Sequence, residues 1–338
     1  MKQRNSSIEV LRIIAMAFVL LTHWNWSMLK RGGVNFEEQA YIVKYLHCLI
    51  EAPLLICVNL FIIISGYYGL KLKLRNIINI GILVSSVFFV EYFYLAQNGQ
   101  TDLTIKGLIK NLLFISRSDY FVVDYILLML FSPILNSFVK NYNRKTILIY
   151  AFFAVVIESY FGCVRPNKHF GINEGYSFIH FIIIYLVARC LNLFKDELFK
   201  HSRLFYIIIY SCCSLIISLM LYFNVNHTTD YCNPLVVLSA ASFFMIFAKC
   251  DFYNKIVNTI ATSTFAVYIV HRYNPIHDMM QSCDFWLFEN YNYFQYWLLS
   301  LPVLLAIFFG AILFDKIIDL YRKPILKYID KLNIPSFG

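Results

Sequence analysis

About ten apolar stretches, each long enough to carry an α-helix across a bilayer once tilt and some polar punctuation are allowed, constrain this chain more than any other feature. They fall at residues 8–28, 46–67, 77–97, 120–139, 146–162, 177–194, 204–223, 234–249, 256–273 and 293–314, the fifth, eighth and ninth being the shortest. With 338 residues, 59% hydrophobic and only 14% charged, the chain is too apolar for a soluble domain and too long for a single span. The expected fold is an all-α polytopic membrane protein, a bundle of about ten transmembrane helices.

Basic residues orient that bundle. With the N-terminus inside, roughly eighteen Lys and Arg fall in cytoplasmic segments and about nine in outer loops, the bias expected for both termini cytoplasmic. Topology therefore accounts for the net charge of +9, and no nucleic-acid partner is called for. The nine cysteines form no Cys-x-x-Cys pair and no zinc spacing with histidine, so no metal is expected. Cys163, Cys232 and Cys283 lie in expected outer loops, where a disulfide among them stays open. The first apolar run lacks a small-residue cleavage site and reads as a retained helix.

That first run, Ile8 to Trp24, carries two cations that cost free energy to insert. At about 100° and 1.5 Å per residue, the eleven positions from Arg12 to His23 make three turns plus about 20°, so both side chains leave one face roughly 16 Å apart. Ionisable groups in a span usually face a protein interior or a water-filled cavity, which makes this stripe a candidate wall of an active site. Glu9, three residues before Arg12, can fix its direction. Each cation also has a plain explanation: Arg12 can snorkel to headgroups at the inner edge, and His23 adjoins Trp24 and Trp26 in an interfacial belt.

Further candidates follow in chain order. Lys71, Lys73 and Arg75 form a cytoplasmic cluster that either obeys the positive-inside bias or receives a phosphorylated ligand. Ser65-Gly66 suits close packing or a helix end better than a nucleophile, because no strand-turn-helix elbow surrounds it. Glu51, Glu91, Asp124 and Glu158 fall in the outer halves of their expected spans, at about the depth of His23, and an intramembrane acid is a functional candidate unless it is paired or protonated. Residues 97–119 have the spacing of an amphipathic helix on the outer interface, a possible roof. The outer loops mix aromatics with polar groups, as sugar surfaces or ordinary solvated loops would, and His271 closes the ninth stretch much as His23 closes the first. Residues 316–338 read as a short, basic, proline-broken cytoplasmic tail.

Several of these segments together resemble one family. Arg12 with His23, then Phe61-Ile-Ile-Ile-Ser-Gly-Tyr67, Tyr120 through Ser132-Pro-Ile-Leu-Asn136, Gly175-Tyr-Ser-Phe-Ile-His-Phe-Ile-Ile-Ile-Tyr185 and Ser263-Thr-Phe-Ala-Val-Tyr-Ile-Val-His271 are similar, in the same order, to the integral-membrane acyltransferase three family. His180 stands at a position often aromatic there. The resemblance implies a membrane acyltransferase domain over residues 1–315 in a bacterial cytoplasmic (inner) membrane. It also implies transfer of an acyl group, acetyl or another short acyl, from cytoplasmic acyl-CoA as co-substrate to a hydroxyl of a surface polysaccharide or lipid-linked saccharide. On that reading His23, Glu158 and Asp124 are catalytic candidates, His23 as general base. Arg12, Lys71, Lys73 and Arg75 would hold the CoA phosphates, and Glu51, Glu91 and His271 the acceptor. Direct transfer and an acyl-enzyme are both open. The rival classes are a transporter or flippase of a lipid-linked saccharide, for which no internal repeat is found, and a non-catalytic membrane sensor.

Overall fold

The computed structural model describes residues 4–31, 41–112, 119–166 and 171–332. Within them the chain is helical: α1 (Ser6–Arg31), α2 (Tyr41–Leu54), α3 (Cys57–Tyr68), α4 (Leu74–Gln97), α5 (Ile105–Leu112), α6 (Tyr120–Asn141), α7 (Arg144–Ser159), α8 (Phe178–Leu193), α9 (Lys195–Leu198), α10 (Arg203–Tyr222), α11 (Pro234–Ala248), α12 (Lys255–Ala261), α13 (Thr264–His271), α14 (Asn274–Asn290) and α15 (Tyr293–Lys331). A π turn, Tyr160–Val164, extends α7, and a short 3-10 turn, Asn173–Gly175, precedes α8. An expected outer-loop turn at Gly32-Gly33 with the acids Glu37 and Glu38, and the expected outer-loop residues Lys168 and His169, fall outside the described residues.

The all-helical membrane architecture stands, but the count of ten is not reached. Seven segments among the described residues are long and apolar enough to cross a bilayer: α1, α2 with α3, α4, α6, α7 with its π turn, α10 and α15. The sixth and eighth expected spans are α8 and α11, apolar helices of 16 and 15 residues, about 24 and 22 Å long against a hydrocarbon core of about 30 Å. Their starts are set by side-chain caps, since Ser177 accepts from the His180 amide and Asn233, followed by Pro234, accepts from the Leu235 amide. The ninth expected span breaks at Thr262 and Ser263 into α12 and α13. The tail differs from a proline-broken end, because α15 runs unbroken through Pro302 and Pro324 to Lys331. Its last turns carry a ladder in which Arg322 pairs with Asp315 at 2.7 Å and with Asp319, and Lys323 pairs with Asp319 at 2.9 Å.

The chain divides into two compact units. The first comprises residues 1–70 and 130–261; the second, residues 71–129 and 262–337, so the boundary falls within α6.

In the first unit α3 packs along α8, α10 packs on α11 and α2, and α1 lies against α2, α3, α11 and α12. The start of α1 is pinned. Ser6 donates its amide to Phe252 O at 2.8 Å, Asn5 its side-chain amide to Cys250 O at 2.8 Å, and Ser7 its hydroxyl to Phe247 O at 2.8 Å. Ser6 Oγ also meets Asn258 Oδ1 at 2.8 Å. Four short bonds thus fix the rotation of the helix that carries Arg12 and His23. Between α2 and α3 the chain breaks at Leu55 and Ile56 just past Pro53, whose carbonyl accepts from Tyr210 Oη at 3.1 Å.

In the second unit α15 packs on α4, α13 and α14, and α5 folds back on α4. Tyr92 organises that return: its hydroxyl donates to Asp102 O at 2.6 Å and accepts from the Thr104 amide at 2.8 Å. A Cβ on Gly107 would run into the same hydroxyl, so a side chain there would have to displace Tyr92. Ile105, Ile109 and Leu112 of α5 are exposed.

Candidate active site

The N-terminal stripe keeps its two ends chemically distinct. Arg12 is about one-third exposed and its Nη1 donates to both oxygens of the nearly buried Glu9, at 3.1 and 3.2 Å. This i,i+3 pair aims the guanidinium along the helix. Eleven residues on, His23 is half-buried, and its carbonyl accepts from Ser27 Oγ at 2.9 Å.

Two residues past His23, buried Asn25 joins α1 to α2. Its Nδ2 donates to Glu51 Oε2 at 2.8 Å and to His47 O at 3.1 Å, while its Oδ1 faces His47 Nδ1 at 2.6 Å. Because the amide nitrogen is committed to two acceptors, Oδ1 is the acceptor here and His47 carries its proton on Nδ1. Glu51 is fully buried and keeps Oε1 without a hydrogen bond among the described residues. The structure thus ties Glu51 to the C-terminal half of α1 through the Asn25 amide.

Glu158 takes part in a separate buried chain. Its Oε1 lies 3.0 Å from His180 Nδ1, His180 Nε2 lies 2.8 Å from Asn59 Oδ1, and Asn59 Nδ2 donates to Tyr231 O at 3.0 Å. All three side chains are at most 1% exposed. The Tyr231 contact fixes the amide orientation, so Nε2 donates to Asn59 Oδ1 and Nδ1 faces the carboxylate. With both ring nitrogens engaged, this chain joins α3, α7, α8 and the segment before α11.

A third network explains three of the motifs. Gly66 sits where a Cβ would lie 2.7 Å from Ala188 Cβ, so the glycine permits α3 and α8 to touch. Arg189 Nη1 then caps the end of α3, donating to Gly66 O at 3.3 Å and Tyr67 O at 3.1 Å. Gly69 turns the chain at φ +75°, and Asn136 Nδ2 holds Leu70 O at 2.8 Å while its Oδ1 accepts from Tyr185 Oη at 2.6 Å. The Ser-Gly-Tyr step, the Ser-Pro-Ile-Leu-Asn segment and Tyr185 are therefore one assembly, delivering the chain toward Lys71 and Lys73. Ser65 Oγ donates back to Phe61 O at 2.9 Å, a helix-internal bond.

The remaining candidates belong to the second unit. Lys71 and Lys73 are exposed, and Arg75, half-exposed, pairs with Asp330 of α15 at 3.0 Å. A cleft of about 310 Å³ is lined by Phe88, Glu91, Asp119, Tyr268, Arg272 and Tyr273 among others. In it Arg272 Nε donates to Asp119 Oδ2 at 3.0 Å and Asn274 Nδ2 to Glu91 Oε1 at 3.2 Å. Asp124 is half-buried on α6, two residues past Val122, which lines the same cleft. His271 is fully buried with Nδ1 against Val267 O at 2.7 Å, and it is not among the residues lining the cleft.

The amides and pairing partners Asn25, Asn59, Asn136, Asn274 and Arg272 were not among the sequence candidates. Their signal was available: Asn25, Asn59 and Asn136 interrupt apolar runs, where a polar group persists only with a partner.

Comparison with curated proteins and with solved structures gives no match. A family model described as an acyltransferase domain matches residues 5–316, from the pinned start of α1 into the ion-paired part of α15. With the ordered motifs and the helical membrane fold on the page, the chain belongs to the acyltransferase three family of integral-membrane acyltransferases.

Proposed function

We propose that this protein transfers a short acyl group, acetyl in the simplest case, from acyl-CoA to a hydroxyl of a surface polysaccharide or lipid-linked saccharide at a bacterial cytoplasmic membrane. The observation that carries this reading is the α1 stripe: a cation held by Glu9 at one end and a half-buried imidazole at the other, on a helix whose rotation is pinned. A neutral imidazole can take the proton of an acceptor hydroxyl as that oxygen attacks the thioester carbonyl, with CoA thiolate as the leaving group. Arg12 at the far end suits the donor's phosphates or thioester oxygen. Lys71 and Lys73, exposed and next to the Gly69 turn, suit phosphate oxygens, while Arg75 would first exchange its Asp330 partner.

Glu51, hydrogen-bonded to Asn25, stays a candidate for holding the acceptor, and Glu158 acts through His180. Asp124 stays the candidate for a second acid or base, and Glu91, with the aromatic walls of its cleft, suits hydroxyls and the apolar face of a sugar. His271 supports that cleft from within α13.

The test is the ester content of purified surface polysaccharide from cells carrying the intact gene, a deletion and His23→Ala, with protein abundance in membranes measured in parallel. Loss of esters in both mutants at normal His23→Ala abundance is the expected result. Unchanged esters with altered polysaccharide amount or export would overturn acyl transfer in favour of transport, and full esterification with both Arg12 and His23 replaced would favour a sensor.

A further inference from the structure

The π turn that ends α7 and the segment before α11 meet at two sulfurs. Cys163 Sγ lies 3.8 Å from Cys232 Sγ, across 69 residues of sequence. The approach is built into the backbone on both sides. A Cβ on Gly162 would fall 2.6 Å from Cys232 Sγ, and one on Gly175 would fall 2.8 Å from the Cys232 amide nitrogen, so both glycines are needed to bring these turns onto Cys232. Three further bonds hold the junction: Ser159 Oγ donates to Cys232 O at 3.1 Å, Tyr231 N to Glu174 O at 3.0 Å and Asn59 Nδ2 to Tyr231 O at 3.0 Å. The last is the end of the Glu158–His180–Asn59 chain. Whatever fastens this junction fastens the buried histidine.

We propose that Cys163 and Cys232 form a disulfide that latches the π turn to the segment before α11 and so locks the Glu158–His180–Asn59 chain beneath it. The two thiols differ in access: Cys163 is half-exposed and Cys232 fully buried. The hydrogen bond with Cys163 and then burial push the Cys232 thiol up, which leaves Cys163 as the entry point. Its thiolate attacks the disulfide of an oxidised dithiol carrier or oxidised glutathione, forming a mixed disulfide and releasing one carrier thiolate. Cys232 then attacks Cys163 Sγ, forming the Cys163–Cys232 bond, and its proton passes to the departing carrier sulfur, which leaves as the second carrier thiol. Two protein thiols are oxidised and one carrier disulfide is reduced. Closing the pair removes the freedom of a 69-residue loop from the unfolded chain, the source of stabilisation by such bonds.

Asp230 gives the pair a third donor, with ligand atoms all within 4.8 Å of one another, so a metal centre is the competing use of the same sulfurs. The carboxylate is already engaged, since His227 Nδ1 lies 2.8 Å from Asp230 Oδ2, and a closed structural zinc site calls for four ligands.

The experiment uses the full-length protein in membranes, exposed to oxidised glutathione or to dithiothreitol, alkylated, digested and read by mass spectrometry alongside metal analysis. A peptide pair joining the π turn to the Cys232 segment, lighter by two hydrogens than the two thiols and absent in Cys163→Ser, is expected. The oxidised wild type should also unfold at a higher temperature than its reduced form, a comparison that needs no variant. Full alkylation of both thiols after the oxidant would overturn the proposal. So would stoichiometric zinc bound to thiols protected without a cross-link. Neither result bears on acyl transfer, which is read separately by ester content.

Discussion

Replacing Glu158 should separate its carboxylate charge from its hydrogen bond. In the native chain His180 Nε2 donates to Asn59 Oδ1 at 2.8 Å, so the ring's other nitrogen depends on Glu158 at 3.0 Å, with all three groups buried. Glu158→Gln keeps the volume and can donate an amide hydrogen to Nδ1 of a neutral ring. We expect a loss of about 1 kcal/mol or less, the net worth of one replaced hydrogen bond. Glu158→Ala leaves Nδ1 without that partner in the core, at about 1–3 kcal/mol if the ring is neutral and about 3–5 kcal/mol if it stays charged. Unfolding of the detergent-solubilised protein, followed by tryptophan fluorescence, measures the difference, and ester formation is assayed in the same samples. Glu158→Ala within about 0.5 kcal/mol of wild type, or Gln as damaging as Ala, would refute the positioning role. A fully stable but inactive Glu158→Gln would refute it too, and would make the carboxylate a direct participant.

Four other perturbations test separate parts of the fold. Gly66→Ala places a methyl 2.7 Å from Ala188 Cβ, and should cost about 1–3 kcal/mol in the same unfolding assay, largely recovered in the double variant with Ala188→Gly. Arg322→Met strips the buried Asp315 of its 2.7 Å partner, and should cost about 3–5 kcal/mol, whereas Asp330→Asn at the half-exposed Arg75 pair should cost under about 1 kcal/mol. Asp284 of α14 is buried against Tyr296 Oη at 2.7 Å, and burial, offset in part by that hydrogen bond, pushes its carboxyl up to about 7. A raised carboxyl leaves the folded state holding the proton longer than the unfolded one. The penalty is therefore absent below about pH 4, grows by about 1.4 kcal/mol per unit and is complete above about pH 7. Melting from pH 5 to pH 8 should show stability falling in wild type and a flatter profile in Asp284→Asn.

The apolar lengths by themselves determined the class of fold, and the eleven-residue spacing determined that Arg12 and His23 share a face, because helix periodicity is a property of the backbone alone. Glu9 as the partner of Arg12 was equally legible, being one turn away. The order of the motifs carried the family. Tertiary structure alone decided what those motifs do for one another. Gly66, Asn136, Tyr185 and Arg189 are up to 123 residues apart, yet converge on the end of α3. No local pattern records that Gly66 meets Ala188 or that Asn59 reaches Tyr231. Apolarity also could not set the number of spans, since α8, α11 and α13 are ended by caps and breaks that a hydropathy window averages away. The acids show the same limit. Sequence placed Glu51, Glu91 and Glu158 at similar depth, but only packing gave each its partner: Asn25, Asn274 and His180 respectively. A buried charge takes its chemical role from the one group held against it, and that group is chosen by the fold.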